Sequence, residues 1–265
     1  MKQIGGKITK KLSNNPDKKS KHLYYFCETK CKVMERKKYV IMMAAGSGTR
    51  MGAGRPKQFI ELGGKAILQR TIEVFRRACP GISVITVLPE DFIQYWKDYC
   101  IEHNFSCPQI LVKGGITRFH SVRNALDRVP EGTLVAVHDG VRPLVSEALV
   151  SGIFAKAEES AAVIPVRPCI DTMKVLESRD GELQTIPGMS VDRSLLYGAQ
   201  TPQVFHSEIL KEAYSLAYDT SFTDDASVVE KYGKNLSYVI GERFNIKITT
   251  QDDLVLAKAI MSLSE

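Results

Sequence analysis

The chain has 265 residues, 44% of them apolar and 25% charged, so it can bury one substantial core and has the composition of an ordinary globular protein. No apolar run approaches the length needed to cross a bilayer, which excludes a membrane-spanning helix. The net charge of +6 sits in residues 1–33, whose nine lysines and two acids give +7, so the rest of the chain carries −1 and its body is not a basic nucleic-acid surface.

Residues 1–33 lack the apolar stretch of a secretory signal and contain no arginine, which argues against an organellar transit peptide. Their polar composition without periodicity predicts disorder. The expected organisation is a basic, disordered tail at 1–37 and one domain at 38–265. Met34 opens Met-Glu-Arg-Lys-Lys-Tyr-Val-Ile, which runs into the first strand and reads as a natural start. Six cysteines, at 27, 31, 79, 100, 107 and 169, form no Cys-x-x-Cys, and the five histidines form no His-Glu-x-x-His. Reduced thiols in a cytoplasmic protein are expected, with no protein metal site.

Residues 38–45 read as a buried strand. They lead into Ala44-Ala45-Gly46-Ser47-Gly48-Thr49-Arg50-Met51-Gly52, followed by Pro56-Lys57-Gln58. The glycines let the backbone turn tightly and bring N–H groups close to an anion. Arg50 and Lys57 add the positive charge that a triphosphate needs. This is not a P-loop, since no Gly-Lys-Ser/Thr closes it. Nor is it the dinucleotide fingerprint, since Gly52 falls one residue late.

Helical spacing of apolar residues predicts a helix over 66–79, stopped by Pro80-Gly81. The β-branched run 82–88 predicts a strand. A helix at 91–103, strand at 109–113, helix at 118–128, strand at 133–138, helix at 146–159 and strand at 161–166 continue the alternation. Helices at 207–218 and 224–232, strands near 236–240 and 245–249, and a helix at 251–263 complete it. The fold class implied is α/β: a Rossmann-like, mostly parallel sheet with helices on both faces and ligands at the carboxyl ends of the strands. Residues 167–198 break the pattern. There Asp180-Gly181 separates β-like runs at 171–176 and 183–186, which predicts a projecting β-hairpin arm.

Later motifs narrow the chemistry. They are Val137-His138-Asp139-Gly140-Val141-Arg142-Pro143, Asp171-Thr172-Met173-Lys174, Gln200-Thr201-Pro202-Gln203-Val204-Phe205, Thr223-Asp224-Asp225-Ala226-Ser227 and Asn245-Ile246-Lys247-Ile248-Thr249. With the glycine loop, and in this order over about residues 38–262, they resemble the 2-C-methyl-D-erythritol 4-phosphate cytidylyltransferases. The ribitol-5-phosphate cytidylyltransferases share many of them.

The resemblance implies nucleotidyl transfer from CTP to a polyol phosphate, with Mg²⁺ held mainly through the nucleotide phosphates. It implies that Arg50, Lys57 and Lys247 are the catalytic cations. Ala44, Ala45, Gly46, Ser47, Gly48, Thr49, Met51, Gly115, Arg118, Ser121 and Asp139 would bind the nucleotide. Arg142, Thr172, Arg193 and Thr201 would bind the acceptor, and the arm would make a homodimer. Ile116 stands where the family often carries an acid, a change that a backbone contact survives and a side-chain contact does not. Thr117 also reads as a plain helix cap. A different class is an RNA-binding or scaffolding protein with a nucleotide-binding fold and a basic tail.

Overall fold

The computed structural model describes residues 35–46 and 56–263, so the basic tail up to residue 34 and the loop from Ser47 to Arg55 lie outside the described residues. In chain order the elements are β1 (Lys38–Met43), the short pair β2 (Glu61–Leu62) and β3 (Lys65–Ala66), α1 (Ile67–Ala78), β4 (Ser83–Leu88), α2 (Ile93–Glu102), β5 (Gln109–Lys113) and α3 (Arg118–Leu126). Then come β6 (Leu134–Asp139), α4 (Glu147–Ala157), β7 (Ala162–Pro168), β8 (Leu176–Arg179), β9 (Glu182–Thr185), β10 (Tyr197–Ala199) and β11 (Gln203–His206). The chain closes with α5 (Ser207–Ala213), α6 (Asp225–Lys231), β12 (Ser237–Ile240) and α7 (Gln251–Ser262).

The apolar strands are covered on both faces, as a parallel sheet requires. β1 lies at the centre, parallel to β4 on one side and β6 on the other. Along β1 the side chains alternate. Val40 and Met42 enter a core with Leu68, Phe75 and Phe154 of α1 and α4 and Trp96 of α2. Ile41 enters a second core with Phe119 of α3, Leu210 of α5 and Val229 of α6. The Rossmann-like expectation of helices on both faces is therefore met.

The sheet runs β12, β7, a line made of β10 and β11, β6, β1, β4 and β5. That β10–β11 line is antiparallel and separates β6 from β7. Residues 197–206 carried no strand prediction, because the two pieces are only three and four residues long. Ala199 pairs with Val166, and continuing that register would set Pro202 opposite Val163. Val204 stands there instead. The extra residues make a bulge, which aims Thr201 at the end of β6.

Residues 245–249 were expected to form a strand, and the structure corrects this. They form no ladder, because their backbone groups serve the turn after β6: Ile248 N–H donates to Val141 O at 2.9 Å, and Asn245 O accepts from Arg142. Ile248 packs with Leu62, Val141 and Leu254 of α7 in a third core. The helix expected at 207–218 ends at Ala213, where Tyr214 becomes its cap and turns its ring into the second core. At the other end of the body, Lys37 O accepts from Leu134 N and Arg36 pairs with Glu208, so the fold takes in residues just ahead of β1.

The arm is a β8–β9 hairpin, with Asp180 and Gly181 both at positive φ, as a two-residue turn of this hand demands. Its ladder starts at Leu176 rather than at residue 171. No residue from 167 to 200 is buried, and Leu183 and Leu195 are 73% and 76% exposed.

Candidate active site

The chain passes from β1 outward to β4 and β5, then returns to place β6 on the other side of β1. That reversal opens a crevice at the carboxyl ends of β1 and β6. A cleft of about 430 Å³ lies there, lined by residues 43–46, Lys57, Gln58, 115–118, Ser121, Asp139, Val141 and Lys247. Its walls approach closely. A Cβ on Gly114 would sit 2.6 Å from Ala45 Cβ, and one on Gly115 would sit 2.4 Å from His120 Cβ, so glycine is required at both.

At one end, the turn before α3 is tied by Ser121. Its Oγ accepts from Gly115 N–H and donates to Thr117 O, both at 2.9 Å. Thr117 also caps the helix, accepting from His120 N–H. Arg118 makes two parallel bonds to Asp225, Nη1 to Oδ1 at 2.9 Å and Nη2 to Oδ2 at 2.6 Å. Asp225 is fully buried and takes a further bond from Tyr214 Oη at 2.6 Å. Burial opposes the charge on Arg118, but Asp225 outweighs it and holds the guanidinium protonated more firmly than usual. Three N–H donors of the guanidinium remain for the cleft.

The other end is organised around Asp139. Its Oδ2 meets Lys247 Nζ and Arg142 Nε, each at 3.1 Å. Burial pushes this carboxyl up, but Lys247, Arg118 and Arg142 together hold it well below the usual carboxylate range. Arg142 also donates from Nη1 to Asn245 O at 2.8 Å, and the Asn245 amide donates from Nδ2 to Thr201 O at 2.8 Å. Thr201 Oγ1 accepts from Asp139 N–H at 3.1 Å and lies 3.0 Å from His138 Nδ1. His138 Nε2 faces the Arg142 carbonyl, which only accepts, so Nε2 carries the proton and Nδ1 accepts from Thr201. Burial lowers the His138 pKa to about 3.

The structure thus brings together Ala44, Ala45, Gly46, Lys57, Gly115, Arg118, Ser121, Asp139 and Lys247 in one lining, with Arg142 and Thr201 directly behind it. Ser47, Gly48, Thr49, Arg50 and Met51 lie outside the described residues. Thr172 and Arg193 stand on the exposed arm and do not line this cleft; Arg193 Nη1 donates to Ile170 O at 3.0 Å. Four further residues matter to the geometry: Gln58, His138, Asp225 and Asn245. Each lies within a recognised motif, yet its partner is set by the fold.

The family model described as 2-C-methyl-D-erythritol 4-phosphate cytidylyltransferase matches residues 39–263. The chain belongs to this family. A cytidylyltransferase of that name from Porphyromonas gingivalis is 45% identical over 231 residues, 86% of this chain and all of that protein. One from Bacteroides thetaiotaomicron is 43% identical over 85% of this chain and all of that protein. Among solved structures, 4-diphosphocytidyl-2C-methyl-D-erythritol synthase from Anaerococcus prevotii matches with TM-score 0.70 and 30% identity, covering 86% of this chain and 99% of that one. The cytidylyltransferase from Thermus thermophilus matches with TM-score 0.65 and 31% identity over the same shares. Like its family, the chain is a nucleotidyltransferase. Among the described residues no helix is long and apolar enough to cross a membrane.

The neutral His138 of this cytidylyltransferase site ties stability to pH. A histidine in the unfolded chain binds a proton near pH 6.5, by the usual value of about 6.5, whereas His138 in the fold does so at about 3. Between these values the unfolded state binds more protons, so stability is complete above the window and falls as pH falls through it. Denaturant unfolding between about pH 7 and about pH 5 should show this loss, and His138→Gln should flatten it. Equal slopes in the two proteins would contradict the neutral assignment.

Proposed function

We propose that the chain transfers the cytidylyl group of CTP to 2-C-methyl-D-erythritol 4-phosphate. The products are 4-diphosphocytidyl-2-C-methyl-D-erythritol and pyrophosphate, in non-mevalonate isoprenoid synthesis. One observation carries this reading: Lys247 and Arg142 converge on the ionised Asp139 in the same cleft as Lys57.

An oxygen of the acceptor phosphate attacks the α-phosphorus. The bond from that phosphorus to the bridging oxygen of the β-phosphate breaks, and pyrophosphate leaves with the electron pair. Two anions must meet and charge builds on the leaving group, so catalysis rests on position and fixed positive charge. Lys57 supplies that charge beside the loop, and Arg50 supplies more by its place in the loop motif. Ala44, Ala45 and Gly46 line the nucleotide site, Ser47, Gly48, Thr49 and Met51 belong to it by their place in the loop motif, and the base end meets Gly115, Arg118 and Ser121. Lys247 takes the acceptor phosphate from the cleft wall, and Arg142, directly behind that wall, serves the same acceptor. Thr201, whose hydroxyl is engaged by Asp139 and His138, serves the acceptor by holding these groups in place.

Mg²⁺ is the expected cofactor. Asp139 is the carboxylate in the described lining, and one hard oxygen beside a triphosphate and water suits that ion. Bound mainly through the phosphates, Mg²⁺ would offset their charge.

The arm supports a homodimer. A lone hairpin is marginal in water, and the exposed Leu183 on it and Leu195 further along the arm need a covering surface. Exchange about a two-fold axis covers it twice and brings Thr172 and Arg193 to the partner's acceptor site. A cytoplasmic location belongs to the same reading.

Purified protein with CTP should release pyrophosphate on addition of 2-C-methyl-D-erythritol 4-phosphate and far less with ribitol 5-phosphate. Lys57→Ala should lower kcat by about a hundredfold or more. The reverse acceptor preference would make the chain a ribitol-phosphate enzyme. No turnover with either acceptor, together with RNA binding that vanishes when residues 1–33 are removed, would favour the scaffold reading.

Mixed dimers test the arm. Arg193→Ala and Lys57→Ala homodimers should each be nearly inactive. If the arm acts on the partner, a mixed dimer holds one intact site and activity returns on mixing. Activity that stays low would put the arm on its own subunit's site, and a monomer in sedimentation would remove the exchange altogether.

A further inference from the structure

The loop after β1 must present N–H groups to an anion, so its carbonyls need partners on the protein side. Gln58 supplies them. Its Nε2 donates to Ala44 O at 2.6 Å and to Gly46 O at 3.3 Å, using both protons of one amide. Gln58 is 1% exposed and its bond to Ala44 O is buried, where an unmade bond is costly; the bond to Gly46 O is part-buried.

Peptide geometry carries the consequence. In a trans peptide the carbonyl of one residue and the N–H of the next lie in one plane and point in opposite directions. Fixing Ala44 O therefore fixes the direction of the Ala45 N–H, on a residue that lines the cleft. The clamp has its own anchor. Gln58 lies in a 3-10 turn, Lys57–Phe59, closed by Phe59 N–H to Pro56 O at 3.1 Å. Phe59 is buried and its ring packs against Phe92 and Trp96, with centroids 5.6 Å and 5.9 Å away. The same turn begins with Lys57, so one rigid piece sets the cation and the loop together.

We infer that Gln58 is the positioning residue of the nucleotide loop: its amide clamps the carbonyls of Ala44 and Gly46, aims the Ala45 N–H, and locks that donor in register with Lys57. The inference rests on the CTP-binding reading above. It assigns Gln58 no contact with the reacting atoms. An amide is needed here because two carbonyl oxygens must be met by donors on one nitrogen. A carboxylate of the same shape would repel both.

CTP binding by calorimetry, without acceptor, tests the clamp in the full-length protein. Gln58→Glu keeps the size and removes the donors, and Gln58→Met keeps the length without charge. Both should weaken CTP binding by about tenfold, as the loss of one buried bond and one part-buried bond implies. The KM for the acceptor should hardly move in turnover assays. In amide exchange, CTP should protect the Ala45 N–H in the wild type and much less in the variants. If Gln58→Glu fails to fold, Gln58→Met decides by the same measurements. Folded variants that melt lower yet bind CTP like the wild type would reduce Gln58 to a structural residue and overturn the clamp. A wild type that binds no CTP would overturn the functional reading, and the clamp with it.

Discussion

A single buried carboxylate lets this cleft hold several cations. Lys247 and Arg142 both reach Asp139 Oδ2, and Arg118 adds its field from the start of α3. Without Asp139 these charges would repel one another in a partly dry crevice, where such repulsion is poorly screened. With it they are fixed in place before any ligand arrives. Burial alone would drive the carboxyl toward neutrality, so its ionised state reports that the cations win. The Arg118–Asp225 pair repeats the device: a fully buried acid holds an arginine that lines the cleft.

The sheet makes this arrangement possible. β1 and β6 are neighbours, with Met43 opposite Asp139, so the loop after one strand and the acid at the end of the other open into the same crevice. The segment 245–249 reaches it from the far end of the chain because Ile248 is buried beside Val141 and held by a backbone bond. Lys247, between Ile246 and Ile248, is thereby set at the cleft without belonging to any strand. The bulge between β10 and β11 does the same for Thr201, whose hydroxyl links the Asp139 backbone to a neutral His138.

Much of this was legible in the sequence. The runs at 39–43, 84–88 and 134–137 are mostly apolar, with β-branched residues in each, because both faces are covered, and such runs announce buried strands. Asp180-Gly181 announced its turn because few other pairs tolerate two positive φ values. The segment 245–249 misled because Ile246 and Ile248 alternate like a strand, while its backbone bonds go to a turn rather than a neighbour. The pieces at 197–206 are too short to show a period. In the site, the cations and Asp139 were legible through their motifs. Their partners were not, since Arg118 and Asp225 are 107 positions apart and Asp139 and Thr201 are 62 apart, and no local pattern encodes such pairings.

The charge of Asp139 thus organises the cleft for cytidylyl transfer. The measurement that bears on it most directly is turnover of CTP and 2-C-methyl-D-erythritol 4-phosphate by Asp139→Asn, which keeps the side-chain shape and removes the charge. The expected result is a folded protein whose kcat is lower by about a hundredfold or more, the scale of losing preorganised electrostatic support. A folded Asp139→Asn enzyme turning over at nearly the wild-type rate would contradict it.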